Sequence, residues 1–157
     1  AADEEIRQLL EPGDPRRLRI EQRAATTIEQ LERIVAHYAD AEGIDAMDHY
    51  HALFALSMKH RFGPTPERQV DLNRRLHEIA VGLYGPDSNA AIDALGLYGE
   101  ALGTYQPSEQ ALAVLHEALT KASALLGADH FTTEGVRRAL ARTYRSLNRP
   151  AEALIHA

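Results

Sequence analysis

Leu83-Tyr84-Gly85-Pro86-Asp87 and Leu125-Leu126-Gly127-Ala128-Asp129 stand 42 residues apart and share an order of apolar pair, glycine, spacer and aspartate. The same shift sets Gln110-Ala111-Leu112 on Glu152-Ala153-Leu154, and Gln106-Pro107 on Asn148-Arg149. One period earlier, Pro66-Glu67-Arg68 lies opposite Ser108-Glu109-Gln110. Leu72, Leu76 and Leu83 then lie opposite Val114, Ala118 and Leu125. A glycine that follows an apolar-periodic run is a helix stop. Such stops recurring at one fixed spacing signal helical hairpins that stack to make a shared core. Each period therefore reads as a first helix of about 16 residues, a tight turn, and a second of about 19.

The rest of the chain is punctuated in the same manner. Asp3–Leu10 is expected to be a short opening turn or helix, closed by Pro12-Gly13. Asp14-Pro15 supplies an N-cap followed by proline at the first helical position. That start predicts one helix to about Ala39, with Ala24, Ile28, Leu31, Val35 and Tyr38 on a narrow apolar stripe, before Gly43 ends the region. Further helices are expected over Asp45–Arg61, from Thr65-Pro66 to Tyr84, and over Ser88–Tyr105, Ser108–Leu126 and Thr132–Leu147. A last one follows Asn148-Arg149-Pro150. No stretch alternates with period two over strand length, so the expected fold class is all-α.

Composition agrees. Apolar residues make up 45% of the 157, charged residues 25% and aromatics 6%, values of a folded chain rather than a disordered one. The net charge of −6 gives no general attraction to nucleic acid or an anionic membrane, so neither is an expected partner. Without cysteine, disulfides and thiolate metal sites are excluded. No apolar run reaches the roughly 18 residues a membrane span needs, and the acidic start Asp3-Glu4-Glu5 does not read as a signal peptide. Cytoplasmic location is the expectation.

Leu126-Gly127-Ala128-Asp129-His130, followed by Leu140-Ala141, Tyr144, Asn148-Arg149 and Glu152-Ala153, resembles the tetratricopeptide repeat. The likeness is to the 42-residue variety of kinesin light chains and bacterial multidomain signalling proteins. The chain departs from that pattern at Phe131, where proline is usual, and at Tyr98-Gly99 with Leu102 in the middle repeat. The resemblance covers about Asp45–Ala157. It implies a right-handed superhelical solenoid of antiparallel helix pairs, with repeats at about 45–86, 87–128 and 129–157, the last incomplete. Residues 1–44 would then be an N-terminal helical cap or a dimerisation segment.

What the resemblance implies about function is a non-catalytic protein- or peptide-binding scaffold, the sensor or docking part of a larger signalling protein. The alternative is an oligomerisation or autoinhibitory arm of a multidomain enzyme or regulator. In the family the first helix of each pair lines a groove. Carried over position by position, that groove holds His51, Phe54 and Met58, then Asp93, Gly96 and Glu100, then Arg138, Arg142 and Arg145. The arginines recur at spacings of four and three, hence share one helix face, and suit an acidic segment because guanidinium pairs bidentately with carboxylate. The alternative for them is an ordinary solvated face.

Gly96, Gly99 and Gly103 also share one helix side. Each costs roughly 1 kcal/mol relative to alanine, so close backbone approach, to a neighbouring helix or to a ligand, is expected there. Catalytic and metal candidates fail on geometry. His49 and His51 point to opposite sides of a helix, Asp45 and His49 lack a third ligand, and His77-Glu78 lacks a second histidine one turn on. No phosphate loop or nucleophile elbow is present, so neither cofactor nor catalysis is expected. Arg16-Arg17-Leu18-Arg19 reads as a solvated helix start. The narrow stripe ahead of Ala39 would cap the array or form the helical seam of a homodimer. The last helix, from Pro150, is much shorter than its counterparts. That predicts either an excised fragment or an end covered by self-association.

Overall fold

A computed structural model describes residues 2–11, 14–40 and 46–156, and every regular element among them is helical. The chain divides into two compact units, Ala1–Pro66 and Glu67–Ala157. The first contains α1 (Ala2–Leu9), α2 (Pro15–Ala24), α3 (Ile28–Asp40) and α4 (Ala46–Arg61). The second contains α5 (Gln69–Tyr84), α6 (Asn89–Tyr105), α7 (Glu109–Leu125), α8 (Phe131–Ser146) and α9 (Pro150–Ala153), with a closing 3-10 turn at Leu154–His156. A 3-10 turn at Pro66–Arg68 leads into α5. The expected helix stops at Gly13 and Gly43, the expected domain boundary at 44/45 and the Asp45 end of a metal pair lie outside the described residues.

In the Ala1–Pro66 unit, Asp14 caps α2 by accepting the Arg16 backbone N–H at 2.8 Å, with Pro15 at the first helical position. The single helix expected to run on to Ala39 is instead two. Ala25 is extended (φ −67°, ψ 120°), and a reciprocal capping box restarts the chain. Thr27 Oγ1 accepts from Gln30 N at 3.2 Å, while Gln30 Oε1 accepts from Thr26 N at 2.9 Å and Thr27 N at 3.1 Å. These three hydrogen-bonded donors add to the weak helix preference of paired threonines in breaking the helix. Ala24, placed on the apolar stripe, accordingly ends α2 and is exposed. Leu31, Ile34, Val35 and Tyr38 of α3 are buried, as are Ala52, Leu53 and Leu56 of α4, and the two helices pack on one another. α4 thus belongs to the Ala1–Pro66 unit.

Tyr38 gives this unit a measurable signature. Its burial, aided by the nearby carboxylate of Asp48, pushes the phenol up to about 12 from an ordinary 10. A raised folded-state value means the neutral phenol stabilises the fold fully below pH 10, and that contribution is lost as pH climbs from 10 towards 12. In a phenolate absorbance titration one of the six tyrosines is expected to ionise late, together with unfolding, and Tyr38→Phe removes that late step.

The Glu67–Ala157 unit is built on repeated turns. Gly85 (φ 86°) and Gly127 (φ 103°) end α5 and follow α7 in a left-handed conformation that side chains avoid. Three residues after each glycine the chain starts a new helix. Ser88 caps α6 by accepting from Ala91 N at 3.2 Å, and His130 caps α8 by accepting from Thr132 N at 3.3 Å. Ser108 caps α7 likewise, through Ala111 N at 3.2 Å. Asn148, at φ 58°, turns the chain out of α8, and Arg149 N reaches back to the Tyr144 carbonyl at 2.9 Å.

α6 is the centre of this unit and packs against α5, α7 and α8, while α7 also packs on α8. Buried Asn73 of α5 donates to the Leu97 carbonyl at 3.1 Å, and the His77 ring meets the Ala91 carbonyl at 3.0 Å. Those bonds fix α5 along α6 with a specificity that apolar packing alone lacks. On the other side, the core gathers Leu95, Leu112, Leu115, Val136, Leu140 and Tyr144.

Candidate functional site

The three glycines of α6 explain how α7 and α8 come so close. A Cβ at Gly96 would lie 3.2 Å from Val136 Cγ2, and one at Gly99 would lie 2.8 Å from Leu115 Cδ2. A Cβ at Gly103 would overlap Thr143 Oγ1. Gly96 and Gly103 therefore admit α8, and Gly99 admits α7. Of the two explanations for the glycines, approach by neighbouring helices accounts for all three contacts. Gly96, expected to line a groove, is buried under Val136 and presents no surface.

With α8 drawn in, two rows of polar side chains meet on one surface. From α6 come Asp93 and Glu100, both half-buried, with Thr104 exposed at the next turn. From α8 come Glu134, Arg138, Arg142 and Arg145, all exposed. Two bridges tie the rows together. Thr132 Oγ1 donates to Asp93 Oδ1, and Arg142 Nη2 lies 2.9 Å from Glu100 Oε1. Glu100 and Arg142 are 42 residues apart in the chain and face each other across the helix pair. The pair is solvated, with side-chain exposures of 47% and 30%, and such pairs contribute about 0–1 kcal/mol. Among the described residues Arg138 and Arg145 make no ion pair. The surface consequently offers two uncommitted guanidinium groups flanking one that is held weakly by an internal carboxylate.

His51, Phe54 and Met58 belong to the Ala1–Pro66 unit. On α4 they follow one another at helical spacing, His51 and Phe54 exposed and Met58 half-buried. Met47, one turn earlier on the same stripe, is 39% exposed and was not anticipated. Met47, Phe54 and Met58 lie on a different side of α4 from buried Ala52, Leu53 and Leu56, and that spread of apolar residues around the helix could have signalled it, since one neighbour seldom covers both sides. The same unit holds a cleft of about 390 Å³, floored by Leu18 and Ile34 and rimmed by Arg7, Arg33 and His37.

Among the described residues no three His, Cys, Asp or Glu side chains converge to hold a metal ion, and no helix is long and apolar enough to cross a membrane. The fold and surface define an all-helical protein with an arginine-rich face across a closely packed helix pair. No protein-family model, no curated protein and no solved structure matches the chain.

Proposed function

We propose that the chain is a non-catalytic binding module of tetratricopeptide type, a docking or sensor part of a larger cytoplasmic signalling protein, and that it takes an acidic protein segment. The observation that carries this reading is the exposed row Arg138, Arg142 and Arg145 on a rigid helix, two of its members without an ion-pair partner among the described residues. Three supports accompany it: the left-handed glycines and helix caps recurring after 42 residues, the packing of α6 on both following helices, and the glycine contacts that hold the helices close. Rigid elements present side chains with less entropy loss on binding than loops do.

The test is fluorescence anisotropy with a labelled glutamate-rich peptide. Wild type binds, and affinity falls as salt rises because exposed charges are screened. The triple variant Arg138→Glu/Arg142→Glu/Arg145→Glu loses at least about tenfold in affinity, since each exposed pair contributes a few tenths to 1 kcal/mol and reversal adds repulsion. Equal binding by wild type and triple variant would refute the assignment of this face.

The second reading, an oligomerisation arm, rests on α4. Met47 and Phe54 at 39% and 41% exposure, with Phe62 at 81% just beyond, make an apolar surface. Sedimentation checks it: a dimer of the wild type that dissociates on Phe54→Glu supports self-association, and a monomeric wild type removes it.

A further inference from the structure

The segment after α8 is held by very little apolar burial. Of Pro150–His156 only Ala153 is buried, whereas Leu154 and Ile155 are 76% and 77% exposed. What secures it is an aromatic stack. The His156 ring lies parallel to Tyr144 (interplanar angle 2°, centroids 5.8 Å apart) and edge-on to His116 at 5.6 Å. His116 Nε2 is 2.8 Å from the Tyr144 hydroxyl, and the Arg149 guanidinium covers the ring, 4.9 Å from its centroid.

The charges around this stack are unbalanced. α7 contributes His116, α8 contributes Arg137, and the turn contributes Arg149 over the Tyr144 ring. The carboxylates of this end, Glu109 of α7 and Glu152 of α9, both bind Arg149, at 2.8 and 2.9 Å. A proton added to His156 therefore enters a partly desolvated place beside a second imidazole and the Arg137 guanidinium, and among the described residues no carboxylate forms an ion pair with it.

We propose that the His156–Tyr144–His116 stack is a pH-sensitive latch: a neutral His156 holds the Pro150–His156 segment on α7 and α8, and its protonation releases the segment. Burial first, then His116 and Arg137, keep the His156 ring below its ordinary value of 6.5. A depressed folded-state value means the docked form is favoured above pH 6.5, and that advantage is lost as pH falls through the folded-state value. Release uncovers Tyr144 and the site of Ala153, an apolar edge beside Leu112. The device turns mild acid into exposure of that edge.

The experiment is amide hydrogen exchange on the full 157-residue chain at pH 8 and pH 5, corrected for intrinsic rates, with an NMR titration of His156. His156→Phe is the comparison, because phenylalanine keeps a stacking ring and takes no proton. The expected result is loss of protection over residues 150–156 at pH 5 in wild type. Protection in His156→Phe is retained at both values, and α6–α8 stay protected throughout. The proposal is overturned if wild-type protection over 150–156 is equal at both pH values once His156 has titrated. It is equally overturned if His156→Phe loses protection in acid as the wild type does.

Discussion

Replacing Leu115 by alanine is expected to lower the stability of the Glu67–Ala157 unit by about 3 kcal/mol, in the middle of the range for buried leucines. Leu115 is wholly buried, and its branched end fills the notch that two glycines leave in α6. Around it stand Leu112, Leu140, Val136 and Tyr144, each on a helix already in close contact with the next. Such a site collapses poorly once its side chain is cut, so the cavity persists and the cost exceeds simple transfer. Urea unfolding followed by circular dichroism checks it, as a lower midpoint at unchanged slope. A loss below about 1 kcal/mol would show that α7 can settle into the gap and that the notch is not rigid.

A second large effect carries a change of sign. Gly103→Ala gains about 1 kcal/mol in helix propensity, which alone would stabilise α6. The added Cβ runs into Thr143 Oγ1 and sits 3.3 Å from Leu115 Cδ1. Thr143 is buried and β-branched, and its hydroxyl is bonded to the Ala139 carbonyl at 2.9 Å, so it has little freedom to turn aside. Overpacking of this kind costs about 1–3 kcal/mol, so the substitution is destabilising overall in the wild type. In a Thr143→Ala background the Oγ1 obstruction is gone, only the tight contacts with Leu115 and the remaining Cβ of residue 143 persist, and Gly103→Ala is expected to lose most of its cost. A double-mutant cycle measures the coupling directly. Additive effects would mean that α6 and α8 are not held together at Gly103.

Local chemistry was legible wherever the chain acts within one turn of itself. The prolines, serines and left-handed glycines that bound α5–α8 act through their own backbone conformation or a hydrogen bond a few residues away. Spacing along the chain therefore locates them. The same holds for the arginine row, because a spacing of four and three places side chains on one helix face whatever surrounds it. The break at Ala25 was equally local and was missed. Thr27 and Gln30 carry the capping-box pattern, but an apolar stripe continuing through Ile28 and Leu31 suggested an unbroken helix.

The sequence by itself determined an all-helical chain, the 42-residue recurrence of its turns and the shared face of Arg138, Arg142 and Arg145. Only the tertiary structure decided that α4 packs with α3, that Gly96 lies beneath Val136 instead of on open surface, and that Glu100 engages Arg142. It alone brought the rings of His116, Tyr144 and His156 together in one mutually contacting cluster. The reason is physical. Caps, turns and helix faces are set by dihedrals and bonds within a few residues, whereas burial, pairing and stacking depend on which distant surfaces close upon one another.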